Sequence, residues 1–423
     1  MVLTQEQQEI LNGSKGPVMA KVLKTLVLYG EVFGAEKLVP VTSKYGHIVT
    51  SFGVSVIKDA IGALMDELIS SGVVSKQQFT ADPRPTDPNV PKSFLEDIVF
   101  KVMYGPQKHY EEQLQKVGLL SEDSFTCTSY LDEVGNIPQK GDVLSWAESS
   151  AVNYANSVLG ARCNRNSGII EMFGSIAGYV PYFGLLTDEG RKADWIVELK
   201  TSSLPLPQLL GSAIGMKVLE DVPYVKGLDK WLSPLDNCDT IAYLKNFGAA
   251  SASNGSVGLY HVEGITPEAK ESGEELIKDN AKHYVIDDEE INRLKNSYPI
   301  MWKDKDAKPK LCFIGCPHLS YSEAINWARA IQEGLKESGN KKVVIPTVFT
   351  LSPQVKNKLK GTEEEKILKA SGVILSSICP LMYMNNPLCA KKAVITNSNK
   401  LRTYTSSRYY TDEEIRDIIT GRK

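Results

Sequence analysis

Three of the seven cysteines stand in polar, turn-prone surroundings that suit chemistry better than packing. Cys127 lies in SFTCTSY, Cys316 in IGCPHLS and Cys379 in SSICPLM. Thiolates bind iron–sulfur clusters, and a proline after the ligand removes an N–H group and stiffens the loop that aims the sulfur. The pattern is compatible with a shared cluster. No short CxxC spacing supports it, however, so the alternative that all three are buried apolar side chains stays open.

Two histidines are candidates for a catalytic role near such a site. His318 follows Cys316 by two residues, and His47 lies in SKYGHIVTSFG. Because imidazole changes charge near neutral pH, either ring could donate to a substrate hydroxyl or orient a bound water. A hydrogen-bonded loop histidine would give the same sequence pattern, so a structural role is the alternative for both.

A segment dense in small and polar residues, from Trp146 to Gly184, contains Arg162 and Arg165 shortly after ANSVLGA. Guanidinium groups bind carboxylates and phosphates in a bidentate manner. Small residues allow backbone or ligand to approach closely. The segment therefore predicts either an anion-binding part of the active site or a tightly packed core.

Composition and motifs exclude several other classes of function. The net charge is -3, from 48 Lys+Arg and 51 Asp+Glu without a basic run, so we expect no nucleic acid partner. GSKGP at 13–17 lacks the Lys-Ser/Thr ending of a phosphate-binding loop, and no GxGxxG fingerprint occurs. Neither a signal peptide nor a run of about 20 apolar residues is found, so we expect a cytoplasmic protein with no membrane contact.

Alternating strand and helix patterns must position these residues. Strands are predicted at LVPVTS from Leu38, at KLCFIG (310–315), at KVVIPTVF from Lys342, at GVILSS and at AVITNS. Helical spacing between them predicts an α/β fold, and the proline-rich stretch TADPRPTDPNVP predicts a loop. Cys316 and Cys379 are each expected just past a strand end, where ligands collect in open α/β sheets.

An ordered set of uncommon strings resembles one family over nearly the whole chain. SFTCTSYL, WAESSAVNYANSVLGAR, PYFGLL, IGCPHLS, PTVFT, ICP and TNSNK are similar to the catalytic subunit of aconitase X. The resemblance implies an aconitase-like, three-lobed α/β fold around a central 4Fe-4S or 2Fe-2S cluster held by Cys127, Cys316 and Cys379. It also implies a lyase, specifically a hydro-lyase that dehydrates a small hydroxy acid.

The resemblance further implies a heterodimer with a small swivel-domain subunit that carries the catalytic serine base, so that this chain alone would be inactive. We expect no fused swivel domain here. The substrate-binding loops of the family match Gly53, Val54 and Ser55 in TSFGVS, and Asp82 and Arg84 in ADPRPTDP. Arg84 could pair with a carboxylate or phosphate.

Two substrates are known in the family, namely cis-3-hydroxy-L-proline and 5-phosphomevalonate. Phosphomevalonate enzymes have Asn-Pro where this chain reads ADPRPTDP, and CTPY where it reads CTSY. The sequence therefore favours cis-3-hydroxy-L-proline or a related hydroxy acid, with phosphomevalonate as the alternative. A non-catalytic iron sensor, or an enzyme without a cluster whose arginine-rich block binds an anion, are the other hypotheses.

Three lobes are expected along the chain. Residues 1–130 form an α/β lobe with the first cluster cysteine, residues 131–305 a central lobe with the small-residue and arginine block, and residues 306–423 an α/β lobe with the other two cysteines.

Overall fold

The computed structural model describes residues 1–49 and 55–422, with residues 55–60 described by their backbone alone. Its helices, in chain order, are α1 Gln5–Leu11, α2 Pro17–Val32, α3 Ser55–Ser70, α4 Phe94–Tyr104, α5 Gln107–Val117, α6 Ser149–Ser157, α7 Gly168–Ala177, α8 Pro207–Val218, α9 Cys238–Gly255, α10 Pro267–Ser272, α11 Asp288–Ser297, α12 Tyr321–Ser338, α13 Pro353–Leu359, α14 Glu363–Ala370, α15 Pro380–Met384, α16 Asn399–Tyr404 and α17 Asp412–Thr420. Its strands are β1 Leu38–Pro40, β2 Gly46–Ile48, β3 Phe79–Ala81, β4 Tyr179–Pro181, β5 Ala193–Leu199, β6 Pro223–Lys226, β7 His261–Val262, β8 Ile277–Ile286, β9 Leu311–Leu319, β10 Thr347–Leu351, β11 Ile374–Ser376, β12 Val394–Thr396 and β13 Arg408–Tyr409.

The C-terminal part is a five-stranded sheet in the order β11-β10-β9-β12-β13, with every neighbouring pair parallel. All residues of β9 and β10 are buried, as expected for strands covered on both faces. Helices connect the strands, because parallel neighbours need a crossover. The predicted α/β class is confirmed.

Strand β9 does not end where the sequence predicted. Ile314 pairs with Phe349 and Leu319 pairs with Leu351, so residues 315–318 bulge out opposite the single residue Thr350. Gly315 takes φ +108, and a Cβ atom on it would lie 2.4 Å from the carbonyl oxygen of Thr350. The expectation that Cys316 lies past a strand end is wrong, because the strand continues beyond the bulge that carries Cys316.

The predicted strand from Lys342 is shorter than expected, since β10 begins only at Thr347. Val343 donates its N–H to Ser371 O, at the C-cap of α14, and Val344 donates to Ile419 O in α17, so these residues bond to helix ends instead of the sheet. Pro346 has no N–H group to donate.

A second, four-stranded sheet in the order β7-β6-β5-β8 is also parallel. Helices α8 and α9 pack against each other in this part of the chain, and glycines allow their backbones to touch. A Cβ atom on Gly255 would lie 1.7 Å from the carbonyl oxygen of Gly215. The dense packing extends to α6, in which every residue after Ser149 is buried.

The N-terminal part contains two short sheets, the antiparallel pair β1-β4 and the parallel pair β2-β3. Because β2 and β3 are parallel, His47 in β2 and Asp82, which follows β3 directly, lie at the same edge. Within the described residues, no helix is both long and apolar enough to cross a membrane.

Candidate active site

The three singled-out cysteines come from distant parts of the chain, and Cys127 and Cys379 each lie close to Cys316. His318 donates its backbone N–H to Cys127 Sγ at 3.3 Å, which places Cys127 against the bulge that holds Cys316. Cys379 caps the N-terminus of α15, and its thiol packs in the same apolar cluster as Cys316. Thus the structure brings all three thiols together.

Electrostatics agree with this proximity. Burial raises the pKa of each thiol, that of Cys379 to about 12, and the charge of Cys316 contributes to the raised pKa of both other thiols. Among residues 1–49 and 55–422, no group of three or more His, Cys, Asp and Glu side chains is close enough to hold a single metal ion. Thiolates are the usual ligands of iron–sulfur clusters, so these three cysteines are the residues that could hold one.

His318 lies among these cysteines with both ring nitrogens occupied by protein groups. Its Nδ1 is 3.0 Å from Thr126 Oγ1, and its Nε2 is 3.0 Å from the carbonyl oxygen of Ile378. Burial lowers the pKa of His318 to about 4, so the ring is neutral at physiological pH. The imidazole therefore holds two segments of the site together.

A buried ion pair between Glu148 and Lys400 lies beside the cysteines. Lys400 Nζ donates to Glu148 Oε1, and both side chains are only 7% exposed. The other carboxylate oxygen accepts from Ser150 Oγ at 2.6 Å and from Ala151 N at 2.8 Å, which caps α6. Glu148 takes φ +82 although it is not glycine, a strained backbone of the kind that concentrates at functional sites.

The ion pair sets the local charges. Burial alone would raise the pKa of Glu148, but the Lys400 ammonium and the hydrogen bonds outweigh it, so the pKa is lowered. Burial opposes the charge of Lys400 too, yet Glu148, Cys316 and Cys127 outweigh it and raise the pKa of Lys400. A permanent positive charge therefore faces the thiols.

His47 and Asp82 form a second polar pair at the site. His47 Nδ1 is 2.9 Å from Thr80 Oγ1, and His47 Nε2 is 3.5 Å from Asp82 Oδ1. Burial raises the pKa of Asp82 against the lowering effect of His47, and the charge of Glu148 adds to the rise. Asp82 in turn raises the pKa of Cys379, so its carboxyl group lies close to the thiols.

The three candidate arginines are engaged elsewhere, each with its own partner. Arg84 Nε lies 3.0 Å from Glu111 Oε2 and its guanidinium covers the Phe125 ring, although its backbone carbonyl accepts from Cys379 N at 2.8 Å. Arg162 pairs with Asp188. Arg165 donates to the carbonyl oxygen of Ser256. Burial lowers the pKa of Arg165, and the negative charge of Glu148 opposes that change.

The predicted substrate loop at Gly53, Val54 and the Ser55 side chain lies outside the described residues. The sequence analysis did not single out two charged residues beside the cysteines, Glu148 and Lys400. Signals for both exist: Glu148 precedes SSAVNYANS as an acidic helix cap, and Lys400 ends the family string TNSNK. Their contact across 252 positions is a tertiary feature that neither string reveals.

Comparison with known proteins gives three adjacent family models along the chain. They are described as the aconitase X first domain over residues 1–189, the second domain over residues 192–296 and the third domain over residues 309–418. A solved structure, Thermococcus kodakaraensis aconitase X in its holo-form, matches with a TM-score of 0.80 at 29% identity, covering 98% of this chain and 99% of that chain.

Curated relatives have two names. Those named phosphomevalonate dehydratase large subunit include the protein of Thermococcus kodakarensis, 32% identical over 96% of this chain and 95% of its own length. The protein of Methanocaldococcus jannaschii, with the same name, is 32% identical over 100% of both chains. A relative from Pseudomonas aeruginosa named cis-3-hydroxy-L-proline dehydratase is 28% identical over 67% of this chain and 47% of its own length.

Proposed function

This chain belongs to the aconitase X family, as its sequence indicated, and is a hydro-lyase; we propose that it is the cluster-bearing large subunit of a phosphomevalonate dehydratase. The observation that carries the proposal is the proximity of Cys127 and Cys379, from distant parts of the chain, to Cys316. Since relatives of both names are dehydratases, a non-catalytic iron sensor has no support.

Three cysteine ligands suit a cluster that must also bind substrate. When bound with only three thiolates, such a cluster supplies an open iron site that acts as a Lewis acid on the substrate hydroxyl. A fourth cysteine ligand would close that position. Of the other four cysteines, Cys163, Cys312 and Cys389 lie in the core at 0% exposure, and Cys238 is exposed.

The chain's own polar residues complete this half of the pocket. Lys400 offsets the negative charge of the thiolates, and Glu148 fixes the position of its ammonium group. Asp82, with its raised pKa and with His47 3.5 Å away, is suited to hold a proton near the departing hydroxyl. The base that removes the carbon-bound proton is proposed to be a serine of a small subunit, and relatives named "large subunit" support such a partner.

The choice of phosphomevalonate reverses the order expected from the sequence. The two phosphomevalonate relatives match this chain from end to end at 32% identity. The Pseudomonas aeruginosa relative matches over less than half of its own length. The second candidate substrate is cis-3-hydroxy-L-proline, which the ADPRPTDP loop favours because it departs from the phosphomevalonate pattern.

The test is turnover by the assembled pair. The chain is co-expressed with its small subunit, purified without oxygen and given each substrate in turn. We expect dehydration of phosphomevalonate with a kcat/KM at least 100-fold above that for cis-3-hydroxy-L-proline, and no activity in Cys316→Ser. The reverse preference would replace the substrate assignment, and equal activity in Cys316→Ser would refute the role of the cysteines.

A further inference from the structure

One residue contacts all three segments that carry the clustered cysteines. His318 stands two positions after Cys316 in the β9 bulge. Its backbone N–H donates to Cys127 Sγ at 3.3 Å, and its ring lies 3.0 Å from Thr126 Oγ1 in the same segment. On the other side, Nε2 lies 3.0 Å from the carbonyl oxygen next to Cys379, that of Ile378.

The direction of these hydrogen bonds is fixed by chemistry. A carbonyl oxygen only accepts, so His318 Nε2 must carry the proton and donate it to Ile378 O. In the neutral ring Nδ1 then has a lone pair and accepts from the Thr126 hydroxyl. Because His318 is fully buried, these two partners use the whole hydrogen-bonding capacity of its ring.

A second buried group, the Lys245 ammonium, binds the backbone of His318. Lys245 Nζ donates to the carbonyl oxygen of His318 at 2.8 Å and to Glu323 Oε2 at 2.5 Å. The Lys245 side chain is 0% exposed. The bulge is therefore anchored on helix α9 through Lys245 and on helix α12 through Glu323.

We propose that His318 is a positioning residue that clamps the three cysteine segments in the geometry that receives the cluster, instead of acting on substrate. The inference rests on the proposed function, since it concerns the same cluster. The sequence suggested that the His318 ring orients a substrate hydroxyl or a water, but both ring nitrogens are bound to protein groups. Ligands that are held in place before binding lose less freedom when the cluster binds.

Two substitutions separate the two arms of the clamp. His318→Gln can keep a donor for Ile378 O but loses the acceptor for Thr126, whereas His318→Asn can keep the acceptor but loses the donor. Thr126→Val removes the hydroxyl with little change in volume. His261→Gln is the matched control, because His261 is also buried and its Nε2 also lies 2.8 Å from a carbonyl oxygen, that of Arg191, away from the cysteines.

The readout is cluster retention, measured as iron and sulfide per chain and as the half-life of the visible absorbance under an iron chelator. Loss of one buried hydrogen bond weakens binding by about tenfold, and the same factor is expected for cluster retention. We expect half-lives about tenfold shorter in His318→Gln, His318→Asn and Thr126→Val. We expect His261→Gln to lower Tm but to keep the wild-type half-life. Thr126 Oγ1 also accepts from Thr128 N at 3.1 Å, so Thr126→Val loses that bond as well. The cost of Thr126→Val should be smaller in the His318→Gln background than in wild type, because the bond between the two side chains is already absent there.

Several results would overturn the clamp. Wild-type half-lives in all three variants would do so, as would an equal loss in His261→Gln. Unchanged retention with lost turnover would assign His318 to the substrate. If the His318 variants do not fold, a wild-type half-life in Thr126→Val would overturn the clamp, whereas Thr126→Ser, which keeps the hydroxyl, should retain the cluster. A wild-type chain without iron would overturn the proposed function itself, so the two failures are distinguishable.

Discussion

Replacing Lys400 with methionine tests the buried ion pair most severely. Methionine nearly matches the length of the lysine side chain, so the main change is the loss of the charge that faces Glu148. Breaking a buried ion pair from one side costs about 3–5 kcal/mol, because the remaining charge is left without its partner. Glu148 keeps its hydrogen bonds from Ser150 and Ala151. We therefore expect the free energy of unfolding to fall by about 3 kcal/mol, at the lower end of this range.

The double variant Lys400→Met with Glu148→Gln removes both charges. Its stability should return to within about 1 kcal/mol of wild type, since neither buried charge remains. The surface pair between Lys358 and Glu133 provides the control: Lys358 is 51% exposed, and Lys358→Met should cost less than about 1 kcal/mol.

Urea unfolding of the cluster-free chain at pH 7 measures these differences. Tryptophan fluorescence and far-UV circular dichroism should be followed together, because agreement between them tests for a two-state transition. A loss below about 1 kcal/mol in Lys400→Met, or a double variant as unstable as the single one, would refute the reasoning about the ion pair.

Four further outcomes are expected. Burial raises the pKa of Glu171 from 4.5 to about 8, so between these values the folded chain keeps a proton that the unfolded chain loses. The stability of the wild type should therefore fall as the pH rises from about 4.5 to 8. The Tm of Glu171→Gln should fall less over the same range. Gly255→Ala should destabilise by at least about 1–3 kcal/mol in urea unfolding because of the contact with Gly215 O. Gly62→Ala, in open space on α3, should stabilise by about 0.5–1 kcal/mol in the same assay. Asp82→Asn should lower kcat about 100-fold at unchanged iron content, and an unchanged kcat would exclude it as the proton carrier.

The sequence predicted most elements of the C-terminal sheet because their periodicity is strong. Strands β11 and β12 lie within the predicted segments GVILSS and AVITNS. The errors have physical causes. The β9 bulge depends on the partner residue Thr350, and the segment before Thr347 forms hydrogen bonds with the C-terminal ends of two helices that are distant in sequence.

The site was predictable where local strings carry the information. The contexts of Cys127, Cys316 and Cys379 singled them out, and the structure brings their thiols together. The sequence around an arginine does not show which group its side chain binds. Arg84, for example, pairs with Glu111, and nothing in the sequence indicates that contact. The proposed division into three lobes at 130 and 305 stays a prediction.

His318 shows what position alone leaves open. Its place near Cys316 predicted a role beside the cysteines, and its backbone N–H lies 3.3 Å from Cys127 Sγ. Whether its ring faces substrate or protein depends on Thr126 and Ile378, which are 192 and 60 residues away in the chain.

The central claim is that Cys127, Cys316 and Cys379 together hold an iron–sulfur cluster. The most direct measurement is the iron and sulfide content and the visible spectrum of the chain, purified without oxygen together with its small subunit. Wild type should be coloured and contain iron and sulfide, each Cys→Ser variant at these three positions should lose them, and Cys238→Ser, at an exposed cysteine, should keep them. A colourless, iron-free wild type, or a full cluster in all three variants, would contradict the claim.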